Sequence, residues 1–354
     1  MDIHLASVHS FLESHTIDGY DELVWVDRFN NIGEFSLKIS FDKFDVFNLI
    51  DTTTSILYNT GSRTVMRVEN IEVSNNIVTL SGRSMELYFK YRFSHPPAST
   101  PGNTDPLQYT ASSPSLLVRQ ITNDWVTDPA LPQDSLNILG NVAGNPQPPG
   151  SSLTMYFEFS DVLTMIKSVL DSRNILFILE GNRGQTGQFR LSLEACNDYT
   201  TGDGEYREYS KDSENLKDVS LFKSTANNIH QARVFGFRGQ GIYSKTLLYS
   251  GWDKKNLVIY ARGVGSGGMP HSEELSALMD VGRKELRKIE YSDVLIVEGN
   301  FVPTDDFPDN SHKIGDIAWF KFDDDNKVKT QLIEITTSVD ASGTKKTPTF
   351  VQID

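Results

Sequence analysis

Cysteine is nearly absent from this chain: 354 residues carry one, Cys196. A lone thiol rules out an intrachain disulfide framework and a cysteine-rich zinc site. Its expected state is an inert, buried or half-buried side chain. Long apolar runs are also missing, and none approaches the ~18 residues that a membrane helix needs. The first residues, MDIHLASVHSFLES, place Asp2 and His4 where a secretory leader would carry Lys or Arg. A soluble chain with no membrane-spanning segment is therefore predicted. Basic clusters are lacking too, in a chain whose formal net charge is −14. Phosphate neutralisation needs clustered Lys and Arg, so sequence-specific nucleic-acid binding is not expected. No internal repeat is visible by inspection.

What is present is β pattern with aromatic punctuation. Hydrophobic residues make up 38% of the chain and aromatics 10%, which suits a folded, loop-rich, mainly β protein. Leu23–Val26 reads as one strand, and Phe35, Leu37, Ile39 and Phe41 alternate in the next, across the turn Asn30–Gly33. Val65–Val68 leads into a hairpin whose turn, Asn75-Asn76, tolerates positive φ. His95–Pro106 breaks the pattern. Beyond it the period becomes helical: Ser113-Pro114 starts a helix carrying Leu117, Ile121 and Trp125. A second helix, capped by Ser160 with Asp161 in its first turn, shows Val162, Met165, Ile166, Val169 and Leu170 on one face. Strands at Ile175–Leu179 and Phe189–Leu193 complete an α+β middle. Strands return at His230–Phe237, Ser244–Tyr249 and Leu257–Ala261, followed by a helix over Ser272–Lys288 and a β tail from Val294 to Ile353. The predicted organisation is a first β-barrel over 1–95 and an α+β domain over 105–208. A second β-barrel covers 209–265 and 292–354, with a helical insertion at 266–291.

No stretch reads as an active site. Gly263–Gly268 follows a strand and precedes a helix, in outline a dinucleotide-binding turn. Met269-Pro270-His271 separates it from that helix, and Glu273 and Glu274 would meet a phosphate with like charge. A loop is the better reading. No Gly-x-Ser-x-Gly elbow occurs. His4, His9, His15, His95, His230, His271 and His312 are scattered, with no metal-ligand spacing. Asp305, Asp306, Asp309 and the run Asp323–Asp325 lack the Gly and distal Glu of a calcium loop. No catalytic, metal or cofactor residue is assigned, and no cofactor is expected.

The segment Val78–Ser84 followed by Glu86, Leu87 and Arg92 resembles a hallmark of the siphovirus ReqiPepy-type tail protein family, related to the tail-tip or baseplate hub. Two further pieces fit the same family. One is the early strand-turn-strand Leu23–Ile39 with Trp25, Arg28 and Gly33-Glu34-Phe35. The other is Ile314–Ala318, with Gly315 and Asp316, followed by Leu332–Ile335. Thr330-Gln331 stands where that family often shows Arg or another polar residue before the late strand, a slightly weaker match.

The resemblance implies a phage tail hub-like fold of two β-barrel hub domains plus smaller α/β or α+β domains. It implies a homotrimer whose six barrels match a sixfold tail tube, with DNA passing through the ring and an acidic wall that does not bind it. Implied neighbours are the distal tail protein, the tape measure protein and receptor-binding or tail fibre proteins. The implied location is the virion tail tip, after assembly in the host cytoplasm. In that reading Gly82 permits a tight exit from its strand, and Arg83, Glu86 and Arg92 make polar contacts at the base of the first barrel. Two alternatives remain open: a cell-wall hydrolase of the tail tip, and a carbohydrate- or receptor-binding protein using the aromatics of Tyr88–Phe93 or Tyr243–Trp252.

Overall fold

The computed structural model describes residues 2–9, 13–43, 49–94, 107–129, 136, 139–143, 153–157, 160–181, 189–201, 207–210, 215–222, 231–236, 240–244, 256–261, 270–290, 296–301, 313–321 and 327–353. Seven strands come first: β1 (Ile3–Ser7), β2 (Glu13–Ile17), β3 (Glu22–Arg28), β4 (Glu34–Ser40), β5 (Ser55–Asn59), β6 (Val65–Ser74) and β7 (Ile77–Ser84). The short helix α1 (Leu87–Lys90) leads out of them. The middle holds β8 (Leu107–Ala111), α2 (Pro114–Thr122), β9 (Leu139–Ala143), β10 (Leu153–Phe157), α3 (Val162–Leu170), β11 (Ile175–Gly181) and β12 (Phe189–Ala195). The last part opens with β13 (Glu208–Ser210), β14 (Leu216–Phe222), β15 (Gln231–Phe235), β16 (Gln240–Ser244) and β17 (Asn256–Tyr260). It continues with α4 (His271–Glu290), β18 (Ile296–Phe301), β19 (Ile317–Lys321), β20 (Lys327–Asp340) and β21 (Gly343–Gln352). The class is mainly β with α+β insertions, as the sequence predicts.

One 13-stranded sheet joins the two ends of the chain in the order β14-β18-β21-β20-β3-β4-β7-β6-β5-β1-β2, with β19 on β20 and β13 on β19. Among the described residues no pairing closes this path on itself. The junction is β20. Its first half pairs with β19, and its second half runs antiparallel to β3, from Glu334 opposite Arg28 to Val339 opposite Leu23. Smaller sheets β10-β8, β11-β12-β9 and β16-β15-β17 stand apart.

Two-residue alternation fixes which side of the first strands is dry. Leu23 and Trp25 on β3, Phe35, Leu37 and Ile39 on β4, and Val78 and Leu80 on β7 are buried in one cluster with Ile3, Leu5 and Leu57. Each such side chain contributes roughly 1.5–3 kcal/mol by leaving water. A larger cluster covers the middle part and also takes Ala6, Val8, Ile56, Tyr58, Val65, Met85 and Phe89 from the first part. β1, β5 and β6 thus bury one face in the core of the first part and place residues of the other against the middle part. The predicted apolar face of α3 is buried throughout, as are Leu117 and Ile121 of α2. Trp125 lies in the π-helical turn Asn123–Thr127 that continues α2.

Local turn chemistry follows the sequence closely, with two corrections. Asn75 and Asn76 take φ of 49° and 62°, the positive-φ pair of a tight hairpin turn. Ser113 caps α2 by accepting from the Leu116 amide, with Pro114 in first position. For α3 the cap is Asp161, not Ser160: the Asp161 carboxylate accepts from the Thr164 N–H at 2.8 Å, and Ser160 bonds Ser94 instead. The strand expected at Ser244–Tyr249 lies outside the described residues except for Ser244, the last residue of β16. Gly82 is not a strand exit either. It sits inside β7 opposite the bulge of β6, where the register shifts between Val68 and Asn70. A Cβ there would stand 1.8 Å from the Arg67 carbonyl oxygen, so the bulge admits only glycine.

Gly82→Ala is therefore expected to destabilise the chain by about 2–4 kcal/mol, since backbone atoms and no flexible side chain must yield. Urea denaturation measures this, and a loss under about 0.5 kcal/mol would refute the close-approach argument.

Candidate functional site

The turn between β3 and β4 gathers the residues that the sequence singles out. Phe29 donates its backbone N–H to the Ile333 carbonyl at 2.8 Å, tying this turn to β20. The next residue, Asn30, is 1% exposed and sits at φ 46°. Its Nδ2 donates to the Asp171 carboxylate and to the Ile175 carbonyl, and its Oδ1 accepts from the Phe177 N–H, each at 2.8 Å. Glu86, also buried, accepts from the Leu179 N–H at 2.8 Å. Side chains of the first β region thus occupy the outer edge of β11, the edge strand of its three-stranded sheet. A strand edge left open is a template for unwanted pairing, and here two side chains fill it.

The early and late motif pieces also meet. Arg28 donates Nε to Glu334 and Nη2 to Glu34, both at 2.6 Å, and Nη1 to the Ile32 carbonyl at 3.0 Å. Burial alone would lower the guanidinium pKa, but the two carboxylates outweigh it and the net direction is up. Trp25 is fully buried against Phe35, with centroids 6.0 Å apart, and donates Nε1 to Asp27 at 3.2 Å. Gly33 lies where a Cβ would come within 2.5 Å of the Val26 carbonyl, and its N–H donates to Ser84 Oγ at 2.8 Å. Gly315, at φ +92°, leaves room for Cys196 and Phe29, whose atoms would lie 2.3 and 2.8 Å from a Cβ. Asp316 accepts from the Asn197 N–H at 3.0 Å. First, middle and last parts of the chain therefore touch at one seam: Phe29, Cys196 and Gly315.

Arg83 forms a two-point ion pair with Glu69 at 2.7 and 2.9 Å, on the exposed side of the bulge. Arg92 serves through its carbonyl, which accepts from the Val162 N–H at 2.8 Å at the start of α3. The sequence gives no sign of Asn30 as more than a turn residue. It also gives none of Arg63, which binds Glu180 and Glu194 of β11 and β12. Such pairs are set by tertiary distance, more than a hundred residues apart in the chain.

Magnitudes rank these contacts. Arg28, Glu34 and Glu334 keep 28%, 53% and 27% of their side-chain surface exposed, so each pair contributes on the order of 0.2–1 kcal/mol. Removing the buried Asn30 carboxamide strands two backbone groups at about 1–3 kcal/mol each. The carboxamide fastens the parts; the ion pairs set register.

Burial pushes the Cys196 thiol up to about 12, so it carries no thiolate at neutral pH. Among the described residues no group of three or more His, Cys, Asp or Glu is placed to hold a metal ion. No described helix is long and apolar enough to cross a membrane. The loop Gly263–Gly268 and the carboxylates Asp305, Asp306, Asp309 and Asp323–Asp325 lie outside the described residues, as do His95, His230 and His312. Of the aromatics weighed as a binding surface, Phe89 is core, whereas Tyr91 and Phe93 are 51% and 62% exposed.

A family model described as "Siphovirus ReqiPepy6 Gp37-like protein" matches residues 10–350. Solved structures are similar over nearly the whole chain. The tail protein from Neisseria meningitidis MC58 matches with TM-score 0.58 and 12% identity, covering 100% of this chain and 97% of that one. The 43 kDa tail protein of prophage MuSo2 from Shewanella oneidensis gives 0.61 and 11%, covering 99% and 98%. The prophage tail protein gp18 from Listeria monocytogenes EGD-e gives 0.54 and 11%, covering 99% and 94%. No curated protein matches significantly by sequence.

Burial pushes the Asp171 carboxyl up to about 6, against smaller opposing effects of Lys167 and Asn30. A raised folded-state pKa means the protonated form is favoured by folding. That stability is complete below about pH 4 and is lost as pH rises through 6. Asp171→Asn should therefore raise stability at pH 7.5 by about 1–2 kcal/mol, discounted for partial exposure, and change little at pH 4. Thermal denaturation at both pH values is the measurement; equal effects at the two would refute an ionisation origin.

Proposed function

Because the chain belongs to the siphovirus ReqiPepy6 Gp37-like protein family, and its fold is that of phage tail proteins, we propose that it is a structural component of the tail tip. In this reading it forms a homotrimeric hub ring that joins the distal ring of the tail tube to the receptor-binding or cell-puncturing apparatus and frames the DNA exit channel. Its neighbours are the distal tail protein, the tape measure protein and receptor-binding or fibre proteins, and it is assembled in the host cytoplasm before reaching the virion.

The observation that carries the reading is the splice of the two β regions into one sheet through β20 and β3. A rigid connector under load needs its parts fixed to one another, and the paired backbone ladder, Asn30 and the Arg28 pairs do that. The motif residues Trp25, Arg28, Gly33, Glu34, Gly82, Arg83, Glu86, Arg92, Gly315 and Asp316 act structurally in this proposal, through core packing, ion pairs, backbone bonds or close approaches. A net charge of −14 suits the wall of a passage for DNA, because like charge prevents adhesion. The exposed Tyr91 and Phe93 favour a second reading, a tail protein that touches a receptor glycan with these rings.

Native mass spectrometry of the purified chain should give three times the chain mass, and antibody labelling of purified particles should mark the tail end. A chain absent from particles would retire the hub reading. Clearing of host cell walls by the wild-type chain, lost on carboxylate substitution, would replace it with the hydrolase alternative. Binding on a glycan array, lost in Tyr91→Ala, would favour the receptor reading.

A further inference from the structure

The long sheet contains the same strand order twice. Read from one edge, β3-β4-β7-β6-β5 is matched by β14-β18-β21-β20-β19, with every neighbouring pair antiparallel in both. The order along the chain agrees as well, since 3, 4, 5, 6, 7 becomes 14, 18, 19, 20, 21. Both long hairpins carry a bulge at the matching place. In β6 the register shifts between Val68 and Asn70, and in β20 it shifts between Leu332 and Glu334. Pairing through the ladders then equates Asn70 with Glu334, Glu72 with Thr336 and Val73 with Thr337. On the outer strand it equates Trp25 with Leu221 and Val26 with Phe222.

The two units differ in one respect. The stretch of β20 beyond its bulge is occupied by β3, whereas among the described residues Asn70–Ser74 of β6 pairs only with β7. Conversely β3 lies between β4 and β20, while among the described residues its counterpart β14 pairs only with β18 and ends the sheet. Exposure follows the same division. Thr337 and Val26, in the occupied link, are 6% and 5% exposed; their counterparts Val73 and Phe222 are 43% and 59% exposed. Among the described residues each chain thus has one unpaired acceptor edge and one unpaired donor strand, shaped like a contact it already makes internally.

We propose that β14 of one copy adds antiparallel to the far half of β6 of a second copy, repeating the β3–β20 link between chains. The occupant is a second copy because this chain itself contains both halves of the joint in their bonded form. The register follows from the equivalence: Thr336 opposite Val26 and Thr337 opposite Trp25 become Glu72 opposite Phe222 and Val73 opposite Leu221. Such a contact is heterologous, so it propagates head to tail and closes only as a ring. Backbone bonds along the edge give the affinity, as in strand addition generally. The proposal rests on the ring reading of the function and supplies the residues of its subunit interface.

The test uses the full-length chain with Glu72→Cys and Phe222→Cys together. Both positions are exposed, and the one native thiol, Cys196, is held protonated by burial. Mild oxidation should give a disulfide-linked trimer on a non-reducing gel, and each single variant should give none. Independently, V73D with F222D should convert the native mass from trimer to monomer with the thermal melt retained. A threefold ring in particles with no link between positions 72 and 222, or a V73D/F222D chain that stays trimeric, overturns this contact and leaves the hub reading standing. A particle with no ring removes both. A strictly monomeric chain with no cross-link across the concentrations tested overturns the proposed interface.

Discussion

The carboxamide of Asn30 is the contact on which the arrangement of the chain depends. It sits in a tight turn, is buried, and has all three of its bonds to the middle part. Its neighbour Phe29 has its amide on β20 and its ring against the Gly315 turn. Two consecutive residues thus touch the first, middle and last parts. Asn suits the place for two reasons at once: it tolerates positive φ, and a planar amide can both donate and accept. Aspartate could not donate and would bring charge beside Asp171, whose pKa is already raised by burial.

Edges explain much of the remaining design. A mainly β chain with several sheets has many strand edges, and each is an aggregation hazard unless filled. Three solutions occur here. Side chains fill β11, through Asn30 and Glu86. A foreign strand fills the far half of β20. Bulges interrupt both long hairpins, at Val68–Asn70 and at Leu332–Glu334, and the second turns β20 so that its two halves face different partners, β19 and β3. The glycine opposite the first bulge follows from that geometry, because the ladder closes over Gly82 with no space for a Cβ.

Much of this was legible in sequence, and what was not has a physical reason. Period-two and helical patterns located most described elements, and the Asn75-Asn76 turn and Ser113-Pro114 start were read from residue chemistry alone. Resemblance supplied the family, and Arg28 and Glu334, from pieces three hundred residues apart, form an ion pair. Gly82 was noted for the wrong reason, since a close approach between two backbones leaves no trace beyond the glycine itself. The Ser160 cap failed because Ser and Asp are adjacent and equally able, and only the helix's first amides decide between them. Asn30 was read as a turn residue because its partners lie more than 140 residues away.

The internal repeat was invisible for a different reason. Its corresponding residues are not identical and often differ in kind: Gly82 answers to Phe350, Val73 to Thr337 and Asn70 to Glu334, as the ladders align them. Strand order and bulge position are properties of backbone pairing, and backbone pairing is indifferent to most side chains provided one face is apolar. The two units can therefore drift apart in sequence while keeping the same joint. What cannot drift is the place where a strand must enter. There both units keep a bulge, with the hairpin running on past it. Two related units with different side chains at the joint also give each edge a distinct preferred partner, so that the link inside a chain and a link between chains need not compete.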